Sequence, residues 1–163
     1  MRRSRAIPLL LIAGLSIALL GCSSSDKEST EKTTTTAAGG GVSAGGGGTP
    51  VEVVVSDTKG EDGPMTMTVA PPSVPAGKVT FTLKNTGTVK HEMVVLKTDT
   101  PYDQLTVDKD NKVSEDTSVG EVSELDAGKT GTVTLDLKPG KYVLVCNIAK
   151  HYEMGMRAPF TVT

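Results

Sequence analysis

From Pro50 onward the chain breaks into short runs rich in valine, threonine and leucine, punctuated by glycine, proline and asparagine at intervals suited to turns. Such runs read as strands, and the pattern predicts them over residues 51–56, 65–70, 78–84, 91–97, 129–137, 141–146 and 158–162. Several alternate, as in Val79, Phe81 and Leu83 or Val133, Leu135 and Leu137. Each alternating strand has one apolar face, and two sheets bury those faces against each other. The chain has no tryptophan and few other aromatics, so valine, leucine, isoleucine and methionine must build the core. The fold class expected is an all-β sandwich.

In PGKYVLVC the alternation puts Tyr142, Leu144 and Cys146 on one side of a strand. Tyr142 follows a Pro-Gly turn and is placed for a tyrosine corner, whose hydroxyl bonds nearby backbone in Greek-key sandwiches; an ordinary half-buried tyrosine fits equally. Residues 98–126 are polar and acid-rich and read as a long connection, with Thr100 and Pro101 set to cap a short helix through Leu105. Their carboxylates lack a calcium-loop signature.

The end of that sandwich pattern carries chemistry. CNIAKHYEMGM places a thiol, an imidazole and thioethers together, at Cys146, His151, Met154 and Met156. The chain's other histidine is His91, in NTGTVKHEMVV. A thiolate and two imidazoles in a plane, with a weak axial methionine, is the donor set of type 1 copper. Thiolate and thioether favour Cu(I), imidazole suits both oxidation states, and a set without carboxylate disfavours hard ions. Zinc shares the Cys and His donors, but a thioether is not among its usual ligands. Met65 and Met67 point the same way along one strand and are read as core packing rather than copper handover, as is Met93 near His91.

These residues resemble the cupredoxins, a family that includes plastocyanins, azurins and sulfocyanins. The spacing of Cys146, His151 and Met156, with Gly155 before the methionine, looks most like sulfocyanin-type and oxidase-type ligand loops. The resemblance extends over residues 49–163, through VAPPSVPAGKVTFTLKNTGTVKHEMVV and LDAGKTGTVTLDLKPGKYVLVC. It implies a Greek-key β-sandwich binding one type 1 copper ion through His91, Cys146, His151 and axial Met156, with Met154 the alternative. It also implies that the His151 ring edge is the electron port, emerging among Ile148, Ala149 and Tyr152. Many relatives carry asparagine after the first histidine, where it pins the ligand loops. Here that position is Glu92.

The amino terminus has a cationic start, an apolar stretch over residues 7–20, and then Cys22. That is the layout of a secretory signal over residues 1–21, and the apolar stretch falls short of the roughly 20 residues a span needs. Leu19, Leu20, Gly21 and Cys22 resemble the lipobox of bacterial lipoproteins, which implies lipidation of Cys22; the alternative is an ordinary cleaved signal with an incidental cysteine. Residues 23–49 are rich in serine, threonine and glycine and are expected to form a disordered tether. A flexible chain of that length spans roughly 30 Å. With Cys22 lipidated, Cys146 has no disulfide partner, which for an exported thiol points to reactivity or metal. Cleavage removes Arg2, Arg3 and Arg5 and moves the formal charge from −2 to −5. The copper domain is therefore assigned to residues 50–163.

The expectation is an exported, membrane-anchored, monomeric electron carrier that is not an enzyme, with a cytochrome, oxidase or reductase as redox partner. Lysine and arginine are dispersed, which argues against nucleic acid. The alternative class is a protein that stores or delivers copper. A surface interaction module that binds no copper is a third. A multicopper oxidase or nitrite reductase would need more histidines than two.

Overall fold

The computed structural model describes residues 47–163. The expected signal peptide, Cys22 and residues 23–46 of the tether lie outside the described residues. Among the described residues, no helix is long and apolar enough to cross a membrane.

Among the described residues nine strands form: β1 (Thr49–Asp57), β2 (Met65–Ala70), β3 (Ser73–Val74), β4 (Gly77–Asn85), β5 (His91–Lys97), β6 (Ser118–Leu125), β7 (Thr130–Leu137), β8 (Gly140–Val145) and β9 (Arg157–Val162). One sheet has the order β2-β1-β4-β7 and the other β3-β9-β8-β5-β6. Parallel pairs β1–β4 and β3–β9 sit among antiparallel neighbours. The alternation works as the sequence pattern requires: Val79, Phe81 and Leu83 of β4 are fully buried while the residues between them are not. They meet Val51, Val53 and Val55 of β1 and the inner face of the second sheet. Phe81 and Phe160, the only two phenylalanines, cross edge to face at 5.2 Å and join the sheets. Met65, Met67 and Met93 all lie in this core, as packing residues.

Tyr142 forms the tyrosine corner, its hydroxyl donating to Lys138 O at 2.8 Å. Tyr142, Leu144 and Cys146 face the main core, while Val143 and Val145 are buried on the opposite face in a second cluster with Val94, Leu96, Val113 and Tyr152. The connection after β5 explains that second cluster. It folds across the outer face of β5 and β8, and Asn147 ties it down by accepting from Val113 N–H and donating to Val113 O and Glu115.

That connection differs from the expectation in two ways. The short helix from Thr100 does not form; residues 101–104 make a single turn closed by Gln104 N–H donating to Pro101 O. The later half is β6, an edge strand on β5 in which only Val122 is buried. Apart from Leu125, which packs partly buried against the core, its other side chains lie toward water, so the polar sequence is that of an edge rather than of a loop.

Strand direction gathers the ligand-bearing residues at one end. β5 and β8 are antiparallel neighbours, so His91 at the start of β5 lies beside Cys146 at the end of β8. β9 is antiparallel to β8, and Cys146 N–H donates to Met156 O at 3.0 Å, extending that ladder past the strand ends. The loop of residues 147–155 closes over this end.

Candidate metal centre

Three donor atoms converge there. His91 Nδ1 and His151 Nδ1 are 3.2 Å apart, Cys146 Sγ is 3.4 Å from His151 Nδ1, and Cys146 Sγ is 4.0 Å from His91 Nδ1. A point equidistant from the three lies about 2.1 Å from each, within the roughly 2.0–2.3 Å of metal–imidazole and metal–thiolate bonds to a small divalent ion. The residues therefore fit one metal ion. Their softness and the thioether beside them fit type 1 copper.

All the donors are shielded. His91 and Cys146 are fully buried, His151 is 3% exposed and Met156 0% exposed. Met156 belongs to the main core with Cys146, and its N–H donates to His151 O at 3.0 Å. Met154 is only partly buried and lines a surface depression with Ile148 and His151. Gly155 between them has φ +110°, a backbone state L side chains rarely adopt, and a Cβ there would stand 2.7 Å from Met65 O. Only glycine lets the loop turn against β2 and bring Met156 inward.

The sulfur is held on its far side. Glu92 N–H donates to Cys146 Sγ at 3.4 Å. Burial pushes the metal-free Cys146 thiol up to about 11, although the N–H groups of Glu92 and Ile148 work in the other direction. A metal bound there would displace a proton from a sulfur that the Glu92 N–H already orients. His151 is shifted down, first by burial and then by the neighbouring His91.

The pinning expected of an asparagine after the first histidine is supplied by other residues. Asn85 donates to Val89 O and Leu125 O and accepts from Gly87 N–H, bracing the approach to His91. Asn147 anchors the other ligand loop through its bonds to residues 113 and 115. Tyr152 is also not where the resemblance implied. It is 4% exposed, its hydroxyl accepts from Leu105 N–H and donates to Tyr102 O, and it is not part of the surface around His151.

Sequence reasoning missed Asp57. Its carboxylate Oδ2 lies 3.1 Å from His91 Nε2, and neither side chain is exposed. In the sequence, SDTKGEDG reads as the end of a strand and a turn, and nothing marks its partner 34 residues away. Burial alone would raise the Asp57 pKa, but hydrogen bonds from the Thr88 hydroxyl, Thr88 N–H, His91 and Val89 N–H outweigh it and hold the carboxyl well below the usual carboxylate range. The N–H groups of Gly60, Thr88 and Val89 can only donate to this carboxylate, and as an acceptor toward His91 as well it favours the tautomer with hydrogen on Nε2 and the Nδ1 lone pair toward Cys146 and His151.

Comparison with known proteins agrees with this geometry. Residues 61–163 match the model of the sulfocyanin (SoxE) domain family. Reduced auracyanin from the photosynthetic bacterium Roseiflexus castenholzii superposes with TM-score 0.54 and 24% identity, over 72% of this chain and 99% of that one. Reduced rusticyanin gives TM-score 0.52 and 23% identity, over 71% and 81%. An azurin from the methylotroph Methylomonas sp. strain J gives 0.50 and 16%, over 71% and 98%. At these identities the structures bear on the fold alone. No curated protein sequence matches. The match over residues 61–163 and the convergence of His91, Cys146 and His151 give one conclusion: the chain belongs to the sulfocyanin domain family and is a cupredoxin, a type 1 copper protein.

Proposed function

We propose that this protein is an extracytoplasmic electron carrier, tethered to a membrane through lipid on Cys22, with His91, Cys146 and His151 as the strong copper ligands and Met156 as the axial one. The observation that carries the reading is the buried triangle of two Nδ1 atoms and one Sγ around a point at metal-bonding distance. Copper, when bound there, supplies a one-electron Cu(I)/Cu(II) couple.

The protein's own residues keep the donors from moving. His91 is fixed by Asp57, Cys146 by Glu92 N–H, and His151 and Met156 by backbone bonds at 3.0 Å to Ile148 O and His151 O. Donors held this way reorganise little between oxidation states, which suits electron exchange. Burial excludes competing ligands and disfavours handing the ion to another protein, so copper delivery is the weaker reading. The complete burial of Met156 supports it over Met154 as the axial donor. His151 reaches the surface depression walled by Ile148, Ala149 and Met154, which supports its ring edge as the port for a redox partner. No bond of a substrate is made or broken in this role.

Titrating the full chain with Cu(II) tests the reading. A single equivalent should give an intense blue form that is reversibly bleached by one electron and exchanges electrons rapidly with a redox protein. A colourless complex, or one that passes copper to an acceptor instead of electrons, contradicts it.

A further inference from the structure

We infer that Asp57 is a positioning residue of the copper site, whose buried negative charge fixes the tautomer of His91 and biases the site toward Cu(II). This rests on the reading of His91, Cys146 and His151 as copper ligands. The carboxylate sits at the end of β1, in the sheet opposite β5, so it reaches His91 from across the sandwich. A backbone carbonyl or an amide could accept the His91 Nε2–H without carrying charge. A buried carboxylate is the expensive choice, because an ion taken out of water is strongly destabilised unless its lone pairs are satisfied. Here they are: Thr88 N–H and hydroxyl donate at 2.6 Å, Gly60 N–H at 2.9 Å and Val89 N–H at 3.3 Å, besides His91.

Gly87 gives independent geometric support. A Cβ at that position would overlap Asp57 Oδ2 and lie 2.9 Å from His91 Nε2. The chain thus passes over the contact at the one residue type that leaves room for it.

Two consequences follow from charge and geometry. Carboxylate–imidazole–metal arrangements orient the ring and raise its basicity, and losing the outer partner typically lowers metal affinity about 10–100-fold. An anion hydrogen-bonded to a ligand also stabilises the doubly charged ion more than the singly charged one. Asp57 should therefore lower the reduction potential.

The test compares the full chain with Asp57→Asn and Thr88→Val by copper voltammetry, with imidazole nitrogen shifts recorded on the metal-free proteins. Asp57→Asn should raise the potential by about 59 mV, a tenfold change in the Cu(II)/Cu(I) affinity ratio for a one-electron couple, and should weaken the preference of His91 for the Nε2–H tautomer, because a neutral amide accepts less strongly than a carboxylate and can also donate to a bare Nε2. Thr88→Val keeps the carboxylate and removes a competing donor to it, so the potential should fall. A residue that only braces the turn would alter stability in both variants and the potential in neither, which overturns the inference. If Asp57→Asn does not fold, the direction of the Thr88→Val shift decides: a fall supports the inference, and no change or a rise overturns it. If the wild-type chain forms no blue complex, the site reading itself fails, and that outcome is read before any variant is compared.

Discussion

Cys146 Sγ accepts a hydrogen bond from Glu92 N–H, so the residue that follows one ligand on β5 clamps the sulfur of another at the end of β8. The clamp is a backbone group, which frees the side chain at position 92. Glu92 is partly buried and its pKa is raised, first by burial, with Lys112 opposing and Glu115, Glu124 and Glu121 adding to the shift. Its ionised form is thus less favourable in the folded chain than in the unfolded one, and ionisation at neutral pH costs stability. Glu92→Gln should leave the visible spectrum of the copper form unchanged and stabilise the metal-free protein at pH 7 by up to about 1 kcal/mol. The gain should disappear at acid pH, where both side chains are neutral, as chemical denaturation at the two pH values will measure.

Met156→Leu keeps the buried volume and removes the thioether. Swaps of this kind usually cost less than about 1.5 kcal/mol, so the protein should fold. Loss of the axial donor should shift the reduction potential upward, because a weak donor to the oxidised ion has gone. Met154→Leu should shift it little. A shift with Met154 and none with Met156 would reverse the axial assignment.

Gly155→Ala meets two obstacles at once, a φ of +110° and a contact with Met65 O. Backbone strain of this kind costs about 1–3 kcal/mol. The variant should melt at lower denaturant and bind copper more weakly than wild type, since relief of the clash moves Met156. Unchanged copper affinity would show that the loop tolerates another path.

Asn147→Ala removes three hydrogen bonds that hold the loop of residues 113–115 over the outer face of β8. Leaving a buried N–H and C=O of Val113 unpaired should cost about 2–4 kcal/mol. Hydrogen exchange should quicken at residues 105–115 before it does in β4 or β8. Equal acceleration everywhere would mean that the loop and core open as one unit.

The strands and the loop of Cys146, His151 and Met156 were legible because both are local patterns, and His91 because the chain has a single other histidine. Val79, Phe81 and Leu83 alternate within five residues, and Cys146, His151 and Met156 share one loop. β6 was not legible, because an edge strand with only Val122 buried has no apolar alternation to read. The continuous apolar run of β5 had a cause that its own sequence does not reveal: its outer face is covered by Val113 and Tyr152 from distant segments. Asp57 was hidden for the same reason. Its meaning lies in a contact between β1 and β5, and in a glycine whose absent side chain makes that contact possible.

A crystal structure of the copper-loaded chain, with the metal located by its anomalous scattering, tests the centre most directly. One copper atom should lie within bonding distance of His91 Nδ1, Cys146 Sγ and His151 Nδ1, with Met156 at longer range and Asp57 still on His91 Nε2. Copper found elsewhere on the chain, or bound through Nε2 of either histidine, would contradict the account.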